Sequence, residues 1–409
     1  MSSFRKQAAL LGLTAAVFAA STAQADEKVT NPDASTTSTP VANQSEKSVA
    51  PTGSEKGTAS EKTDAPTKQD ENATPVTSTN TKPSTETTSS KEGSLADDKA
   101  LQPTEGQEVD VRILATTDLH TNLVNYDYYQ DKPAENVGLA KTAVLIEEAK
   151  KENSNTLLVD NGDTIQGTPL GTYKAIVNPV KEGEQHPMYA ALQKLGFEAG
   201  TLGNHEFNYG LDYLKRVIDT AGMPIVNANV VDPKTGAYVY DPYKIINKTF
   251  VDKNGRKTTV KIGVTGIVPP QILSWDKANL EGKIQVNDSV EAIQKIIPEM
   301  RKAGADITLV LSHSGIGDDK YEKGEENEGY QIASLPGVDA VVTGHSHAEF
   351  PSGNGTGFYE KYAGVDGVNG KINGTPVTMA GKYGDHLGII DLNLVYKNGK
   401  WTVANSKGS

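Results

Sequence analysis

Residues 338–347 read VDAVVTGHSH, an apolar run followed by a glycine and by two histidines that are one residue apart. A short apolar run that ends at a turn is typical of a strand buried in a sheet. The two histidines, His345 and His347, can chelate one metal ion, or at a sharp turn they can face two adjacent ions. This stretch therefore predicts a buried strand that delivers metal-binding side chains at its carboxyl end.

Four stretches upstream repeat the pattern, because each places polar residues directly after an apolar run. These residues are Asp118 and His120, then Asp163, then Asn204 and His205, and finally His313. The set includes five of the seven histidines in the chain, counting His345 and His347. A glycine before three of the turns, at positions 162, 203 and 344, allows close backbone approach or a positive φ. We expect the five stretches to form one site.

The segments between these stretches alternate between strand and helix patterns, which predicts the α/β class. Helical spacing of apolar residues occurs at 138–151, 187–196, 211–221 and 288–303, and Pro298 is expected to kink or break the last helix. Strand patterns occur at 109–115, 156–159, 224–227, 257–268, 306–311, 338–342, 375–380, 388–396 and 400–403. Asn398-Gly399 predicts a hairpin turn before the final strand. In such folds, polar residues at the carboxyl ends of strands form the site.

Composition restricts the chemistry of that site. The 409 residues include 40 Lys and Arg against 52 Asp and Glu, a net charge of −12, which argues against a nucleic-acid polymer as partner. There is no cysteine, so thiolate metal sites, disulfides and cysteine nucleophiles are excluded. Imidazole, carboxylate and amide oxygen suit Mn, Zn, Fe or Co better than Mg or Ca. Asp118 and His120, if on an extended segment, would point to one face and chelate one ion.

The first hundred residues predict export rather than a fold. Arg5 and Lys6, an apolar core at 8–20 and the small-residue pattern Ala23-Gln24-Ala25 indicate a signal peptide at 1–25. Its core is too short to span a bilayer of about 30 Å. Residues 26–104 are rich in Ser, Thr and Pro without aromatic residues, which predicts a disordered linker. The folded catalytic domain is expected at 105–405, on a Gram-positive cell surface or secreted, with cell-wall attachment through a region outside this chain.

The motifs resemble a known family. Asp118-Leu119-His120, Asn161-Gly162-Asp163, Gly203-Asn204-His205-Glu206, His313 and Gly344-His345-Ser346-His347 are similar, in order, to the five blocks of calcineurin-like metallophosphoesterases. Within that superfamily, residues 161–167, 204–210 and 384–388 resemble the 5′-nucleotidase family, nearest its 2′,3′-cyclic-nucleotide 2′-phosphodiesterase/3′-nucleotidase branch. The resemblance implies a four-layer sandwich of two mixed β-sheets flanked by helices, with two divalent metal ions.

The resemblance also implies a role for each donor. Asp118, His120 and His347 would bind the first ion; Asn204, His313 and His345 the second; and Asp163 both. A hydroxide bridging the ions would attack phosphorus, and His205 and Asn204 would be the catalytic residues, with His205 on the phosphoryl group. Many 5′-nucleotidases carry an aspartate where this chain has Asn208, which favours the cyclic-phosphodiesterase branch. Glu206, Asn208 and His386 are expected either to support the donors or to contact the substrate, and Glu206 alternatively to cap the following helix.

The predicted substrates are small nucleotides, namely 2′,3′-cyclic and 3′-nucleotides and, as a wider set, cyclic dinucleotides. The alternatives are a 5′-nucleotidase or UDP-sugar hydrolase, or a surface adhesion module with a host partner on the same fold. Family members carry a C-terminal lobe that binds the nucleobase, and this chain is expected not to contain it. The domain alone is therefore predicted to cleave small activated phosphodiesters and to recognise nucleotides poorly.

Overall fold

The structure is a computed structural model that describes residues 102–409. The predicted signal peptide, and the predicted linker as far as residue 101, lie outside the described residues. The strands are β1 Glu108–Thr116, β2 Tyr126–Asp127, β3 Lys132–Pro133, β4 Thr156–Asp160, β5 Ala199–Thr201, β6 Ile225–Val226, β7 Val230–Val231, β8 Tyr243–Val251, β9 Lys257–Ile267, β10 Gln285–Val286, β11 Ile307–Ser312, β12 Ala340–Thr343, β13 Glu349–Phe350, β14 Val365–Asp366, β15 Lys371–Ile372, β16 Thr375–Ala380, β17 Gly388–Lys397 and β18 Lys400–Gly408. The α-helices are α1 Leu139–Glu152, α2 Pro169–Thr172, α3 Pro187–Leu195, α4 Leu211–Ile218, α5 Ile272–Trp275, α6 Lys277–Leu280, α7 Ser289–Lys302 and α8 Gly329–Ala333.

Two mixed sheets form the centre of the fold. The first has the strand order β18-β17-β1-β4-β5-β6, and β1, β4, β5 and β6 are parallel. The second has the order β14-β15-β16-β12-β11-β9-β8, with β13 paired to β16, and β9, β11, β12 and β16 are parallel. The parallel strands at the centre of both sheets give the carboxyl-end edge at which an α/β site is expected.

The packing gives four layers. Alternate residues of the strands point to opposite faces, so that Ile113 packs between the two sheets while Leu114 packs beneath helices. The core between the sheets also contains Val159 from β4 and Leu309 from β11. Helices α1, α3 and α4 cover the outer face of the first sheet, and α7 and α8 cover the outer face of the second, as Ile293 shows. The four-layer sandwich predicted from the motifs is confirmed.

Most of the predicted elements are present, with some differences. α3 begins at Pro187 and ends before Gly196, which is left-handed at φ 84, as predicted. The two-residue turn Asn398-Gly399 joins β17 to β18. A break at Pro298 was the wrong alternative, because α7 continues from Ser289 to Lys302. α4 stops at residue 218 rather than 221, and β9 ends at Ile267, one residue before the end of the predicted strand pattern. Within residues 102–409, no helix is both long and apolar enough to cross a membrane.

Candidate metal centre

All the predicted donors lie in loops that leave the carboxyl ends of parallel strands. Asp118 and His120 follow β1, Asp163 follows β4, Asn204 follows β5, His313 follows β11, and His345 and His347 follow β12. The two sheets face each other, so these loops converge on one edge of the sandwich. The structure therefore brings together side chains that are separated by up to 229 positions between Asp118 and His347.

The backbone at most of these donors is left-handed, which corrects one expectation. Asp118 has φ 52, His120 φ 44, Asp163 φ 56, His345 φ 65 and His347 φ 57. Asp118 and His120 therefore do not lie on an extended segment, because β1 ends at Thr116 and the chain then turns sharply. Asp, Asn and His adopt this region more often than other residues apart from glycine. The tight loops turn these short side chains towards a common point.

Four of the donors form one cluster that can hold a metal ion. Asp118, His120, Asp163 and His347 each offer one donor atom, and these atoms lie within 4.8 Å of one another. Nε2 of His120 lies 3.1 Å from Nε2 of His347, which in turn lies 3.3 Å from Oδ1 of Asp118. Oδ1 of Asp118 is buried and has no hydrogen-bond partner among the described residues. A buried carboxylate oxygen of this kind is costly unless a cation or donor satisfies it, so the cluster fits a divalent ion.

The remaining donors meet beside this cluster, around Asn204. Its Oδ1 lies 3.2 Å from Nε2 of His313 and 2.8 Å from Nδ1 of His345. Asp163 lies between the two groups, because its Oδ2 is 3.2 Å from Nε2 of His313 and 3.5 Å from Nε2 of His120. The structure thus places His345 and His347, two residues apart, in different groups.

Contacts behind the rings fix which nitrogen of each histidine faces the site. Nδ1 of His120 donates to the carbonyl oxygen of Gln166 at 3.0 Å, and Nδ1 of His313 donates to that of Asn161 at 2.6 Å. Carbonyl oxygens only accept, so Nδ1 of each ring carries a proton and Nε2 is the nitrogen directed at the site. Nε2 of His345 donates to Oε1 of Glu326 at 2.7 Å, which leaves Nδ1 for the site. Glu326 could not be identified from the sequence, since nothing local distinguishes it from the other acidic residues in its loop.

Electrostatics agree with a cation in this position. Burial alone would lower the pKa of His313, but the carboxylates of Asp163 and Asp118 raise it to about 10. Burial opposes the charge on Asp163, yet the positive charge on His313 keeps the pKa of Asp163 below its ordinary value. The carboxylates therefore attract positive charge to the centre, here as a proton on His313. A metal ion bound there would take the place of that proton.

Two features hold the donor loops together. The buried carboxylate of Glu206 accepts from the backbone N–H groups of Gly203, Asp163, Thr164 and Ile165, at 2.6, 2.7, 2.6 and 3.2 Å. Burial and the charge of Asp163 raise the pKa of Glu206 to about 7. At Gly203 a Cβ would lie 2.5 Å from Cε1 of His313 and 2.6 Å from the backbone nitrogen of Asp163, which explains the glycine. The carboxylate of Glu206 therefore joins the loop of Asp163 to the turn that carries Asn204.

His205 lies at the edge of the cluster, supported by a chain of polar groups. Its ring centroid is 5.0 Å from that of His120, and its backbone N–H donates to Oδ1 of Asp163 at 2.8 Å. Nδ1 of His205 donates to Oδ1 of Asn208 at 2.6 Å, and Nδ2 of Asn208 donates to Oδ2 of Asp276 at 2.9 Å. Burial raises the pKa of Asp276. Asn208 could be singled out from the sequence, but Asp276 could not, because it lies 68 positions further along the chain.

Two other side chains complete the description. His386 is half-exposed and lies beside Asp385 and Glu349, at 3.1 and 3.6 Å, rather than against any of the donors. The ring of Trp275 stacks on His345 with 5.6 Å between centroids and 26° between planes. Trp275 was not singled out from the sequence, because nothing in the segment around it indicates a contact with His345, 70 positions further along the chain.

Comparison with known proteins gives the same assignment as the motifs. Residues 111–349 match the family profile described as calcineurin-like phosphoesterase. The chain is 49% identical over 299 residues to a 2′,3′-cyclic-nucleotide 2′-phosphodiesterase/3′-nucleotidase of Salmonella typhimurium, covering 73% of this chain and 45% of that protein. It is 48% identical over 309 residues to the trifunctional nucleotide phosphoesterase protein YfkN of Bacillus subtilis, covering 74% of this chain and 21% of that protein.

A solved structure supports the fold. The crystal structure of the calcineurin-like phosphoesterase YfkN from Bacillus subtilis aligns with a TM-score of 0.71 at 47% identity, covering 74% of this chain and 90% of that chain. The chain spans about half of the length of the curated phosphodiesterases that it matches, 45% for the Salmonella protein.

Proposed function

The chain belongs to the calcineurin-like phosphoesterase family, and from this premise we propose that it hydrolyses nucleotide phosphoesters at the metal centre. Its substrates are 2′,3′-cyclic nucleotides and 3′-nucleotides. The observation that carries the proposal is the position of Asp163, whose Oδ2 lies between Nε2 of His313 and Nε2 of His120. This carboxylate joins two groups of donors, as a site for two ions requires.

Two ions of the Mn, Zn, Fe or Co type are held by the two groups in this proposal. The first has the donors Asp118, His120 and His347, the second has Asn204, His313 and His345, and Asp163 serves both. When bound, such ions lower the pKa of water and neutralise charge on phosphoryl oxygens. The glycine loops and the amide contacts of Glu206 keep the donors in place without further rearrangement.

His205 acts on the substrate in this scheme. The amide oxygen of Asn208 only accepts, so Nδ1 of His205 retains its proton and Nε2 is the atom available for the phosphoryl group. Asp276 lies behind Asn208 and offers a carboxylate that favours positive charge along this chain. His205 can therefore stabilise developing negative charge or donate a proton to the leaving oxygen.

A substrate panel tests the proposal directly. The metal-loaded protein is assayed with 2′,3′-cyclic AMP, 3′-AMP and 5′-AMP at matched concentrations. We expect kcat/KM for the first two to exceed that for 5′-AMP by at least about tenfold, since a site shaped for one phosphoester position rejects misplaced phosphates. Preference for 5′-AMP would instead establish the 5′-nucleotidase alternative, and hydrolysis of none of them would favour the adhesion module.

Asp163→Ala tests the proposed shared ligand in the same assay. We expect this variant to bind less metal, because loss of a shared ligand affects both ions. We also expect its kcat/KM for 2′,3′-cyclic AMP to fall by at least about a hundredfold. Unchanged metal content, measured by elemental analysis, would contradict the bridging role.

Export is a separate proposal, supported by the signal-peptide pattern at residues 1–25. In this view the protein acts at a Gram-positive cell surface or after secretion, on nucleotides outside the cell. N-terminal sequencing of the secreted protein is expected to give a first residue of Asp26.

A further inference from the structure

A stretch rich in acidic residues lies between β11 and α8, against the start of α7. Residues 318–328, here called the acidic loop, contain six Asp and Glu against two Lys. Oδ2 of Asp288, which precedes α7, accepts from the backbone N–H of Gly324 at 2.8 Å. Nε2 of Gln271 donates to the carbonyl oxygen of the same glycine at 2.8 Å. The acidic loop is therefore fixed at its middle by two side chains from outside it.

Glu328, the last residue of the acidic loop, has a carboxylate oxygen that lacks a partner. The residue is 0% exposed, and its Oε2 accepts from the backbone N–H of Ser289 at 3.2 Å. Its Oε1 is buried too, and no hydrogen-bond donor within residues 102–409 reaches it. A buried carboxylate oxygen of this kind is strongly destabilising unless a proton or a cation compensates it.

Asp288 places a second carboxyl group beside that of Glu328. It is 6% exposed, and its Oδ1 accepts from the backbone N–H of Glu291 at 2.8 Å while its Oδ2 accepts from Gly324. Burial, then the charge of Asp288 and a hydrogen bond with its carboxyl group, raise the pKa of Glu328. The two groups, here called the carboxylate pair, therefore lie within hydrogen-bonding distance of each other. A carboxylate oxygen that accepts one N–H retains a lone pair for a cation.

The surroundings of the carboxylate pair favour a hard cation. Lys323 of the acidic loop places its Nζ 2.5 Å from Oε1 of Glu291 and forms no ion pair with either member of the carboxylate pair. Oε1 of Gln271, on the amide group that holds Gly324, is buried and has no hydrogen-bond partner in the described part of the chain. A group of carboxylate and amide oxygens without imidazole suits Ca²⁺ better than the transition metals.

We propose that the carboxylate pair binds one divalent cation of the Ca²⁺ type, with Oε1 of Glu328 and the carboxylate of Asp288 as ligands and Oε1 of Gln271 as a further one. This site shares no residue with the metal centre described above, so it stands independently of the proposed function. The ion joins the end of the acidic loop to the start of α7. Because Glu326 lies two residues before Glu328, the same ion fixes the carboxylate that supports His345.

The test is a calorimetric titration of Ca²⁺ into the full chain loaded with two equivalents of Zn²⁺, which histidine donors bind in preference to an all-oxygen site. The variants are Glu328→Gln and Asp288→Asn, each of which removes one charge and preserves the shape. Asparagine caps a helix about as well as aspartate, so α7 keeps its start. Glu322→Gln, at an exposed position of the acidic loop, is the matched control. Thermal melting in a chelator checks that every form folds.

We expect the unaltered protein and Glu322→Gln to bind one equivalent of Ca²⁺ with a Kd of roughly 1 mM or tighter. Both should melt at a higher temperature when Ca²⁺ is present. Glu328→Gln and Asp288→Asn should each weaken the Kd at least about tenfold, because affinity for Ca²⁺ depends on the number of charged ligands. Absence of Ca²⁺ binding to the unaltered protein would overturn the proposal and leave a shared proton as the partner of Oε1. Binding that is unchanged in both variants would also overturn it, because the ion would then lie elsewhere.

Discussion

Single side chains outside the donor set decide how the donors are presented. Glu326 is the clearest case, because its carboxylate fixes the proton on Nε2 of His345 and so directs Nδ1 towards Asn204. The sequence predicted the donors themselves, since each follows an apolar run at a strand end. It did not predict Glu326 or Asp276, because their contacts depend on loops that come together only in the folded chain.

Glu326→Ala is expected to weaken one of the two proposed metal sites, the one that includes His345. Without the carboxylate, His345 loses the partner that holds its tautomer and orientation, and such losses typically cost about 10- to 100-fold in metal affinity. The measurement is a metal titration by calorimetry, in which one equivalent should remain tight and the other should weaken.

The control is Glu322→Ala, which removes the same charge from an exposed position of the same loop. It should titrate like the unaltered protein. If both equivalents bind to Glu326→Ala as tightly as they bind to the unaltered protein, the contact with His345 has no influence on metal binding.

At the scale of elements, the short helices α5 and α6 position side chains beside the site, as the central strands do. Asp276 lies between α5 and α6 and receives the hydrogen bond from Asn208, while Asn279 of α6 donates to the carbonyl oxygen of Asn208 at 2.9 Å. The long central strands could be predicted from apolar runs. Strand β8 was not predicted, because its residues alternate irregularly between buried and exposed, and only pairing along β9 identifies it.

Asp276→Asn tests whether the hydrogen-bonded chain from Asp276 through Asn208 affects His205. The substitution keeps the shape but removes the charge behind Asn208, so we expect kcat for 2′,3′-cyclic AMP to fall on the order of tenfold with KM little changed. Steady-state kinetics measure both quantities, and bound metal should stay the same.

Asp212→Asn is the matched control, because this exposed aspartate lies in the first turn of α4. If Asp276→Asn loses bound metal rather than kcat, Asp276 supports the metal donors and not His205.

At the scale of the whole molecule, the buried carboxyl group of Glu328 couples stability to pH. Glu328 is fully buried before α8, and its Oε2 accepts from the backbone N–H of Ser289 at 3.2 Å. Burial, and then the charge of Asp288, raise the pKa of Glu328 to about 8. Such a residue could not be identified from sequence, because its neighbours Asp288 and Ser289 are brought to it by the packing of α7 on α8.

This carboxyl group should make global stability fall with rising pH. In the unfolded chain it loses its proton near pH 4.5, whereas in the folded chain it keeps the proton up to about pH 8. Glu328→Gln has no proton to lose, so its free energy of unfolding relative to the unaltered protein should increase between pH 5 and pH 8, by on the order of 2 kcal/mol. Urea unfolding in a chelator at several pH values measures it.

The comparison uses Glu299→Gln, an exposed position on α7, which should show a difference that does not vary with pH. A constant difference for Glu328→Gln as well would mean that the buried carboxyl is ionised in the folded protein.

The left-handed backbone at five donor positions limits the amino acids from which this centre can be built. Asp, Asn and His enter that conformation at modest cost, whereas other side chains pay roughly 1–2 kcal/mol for each residue. Asp163→Asn would therefore change the charge while respecting the backbone, whereas an alanine at the same place alters both. Any redesign towards another metal would have to choose among short, planar side chains unless the loops themselves were rebuilt.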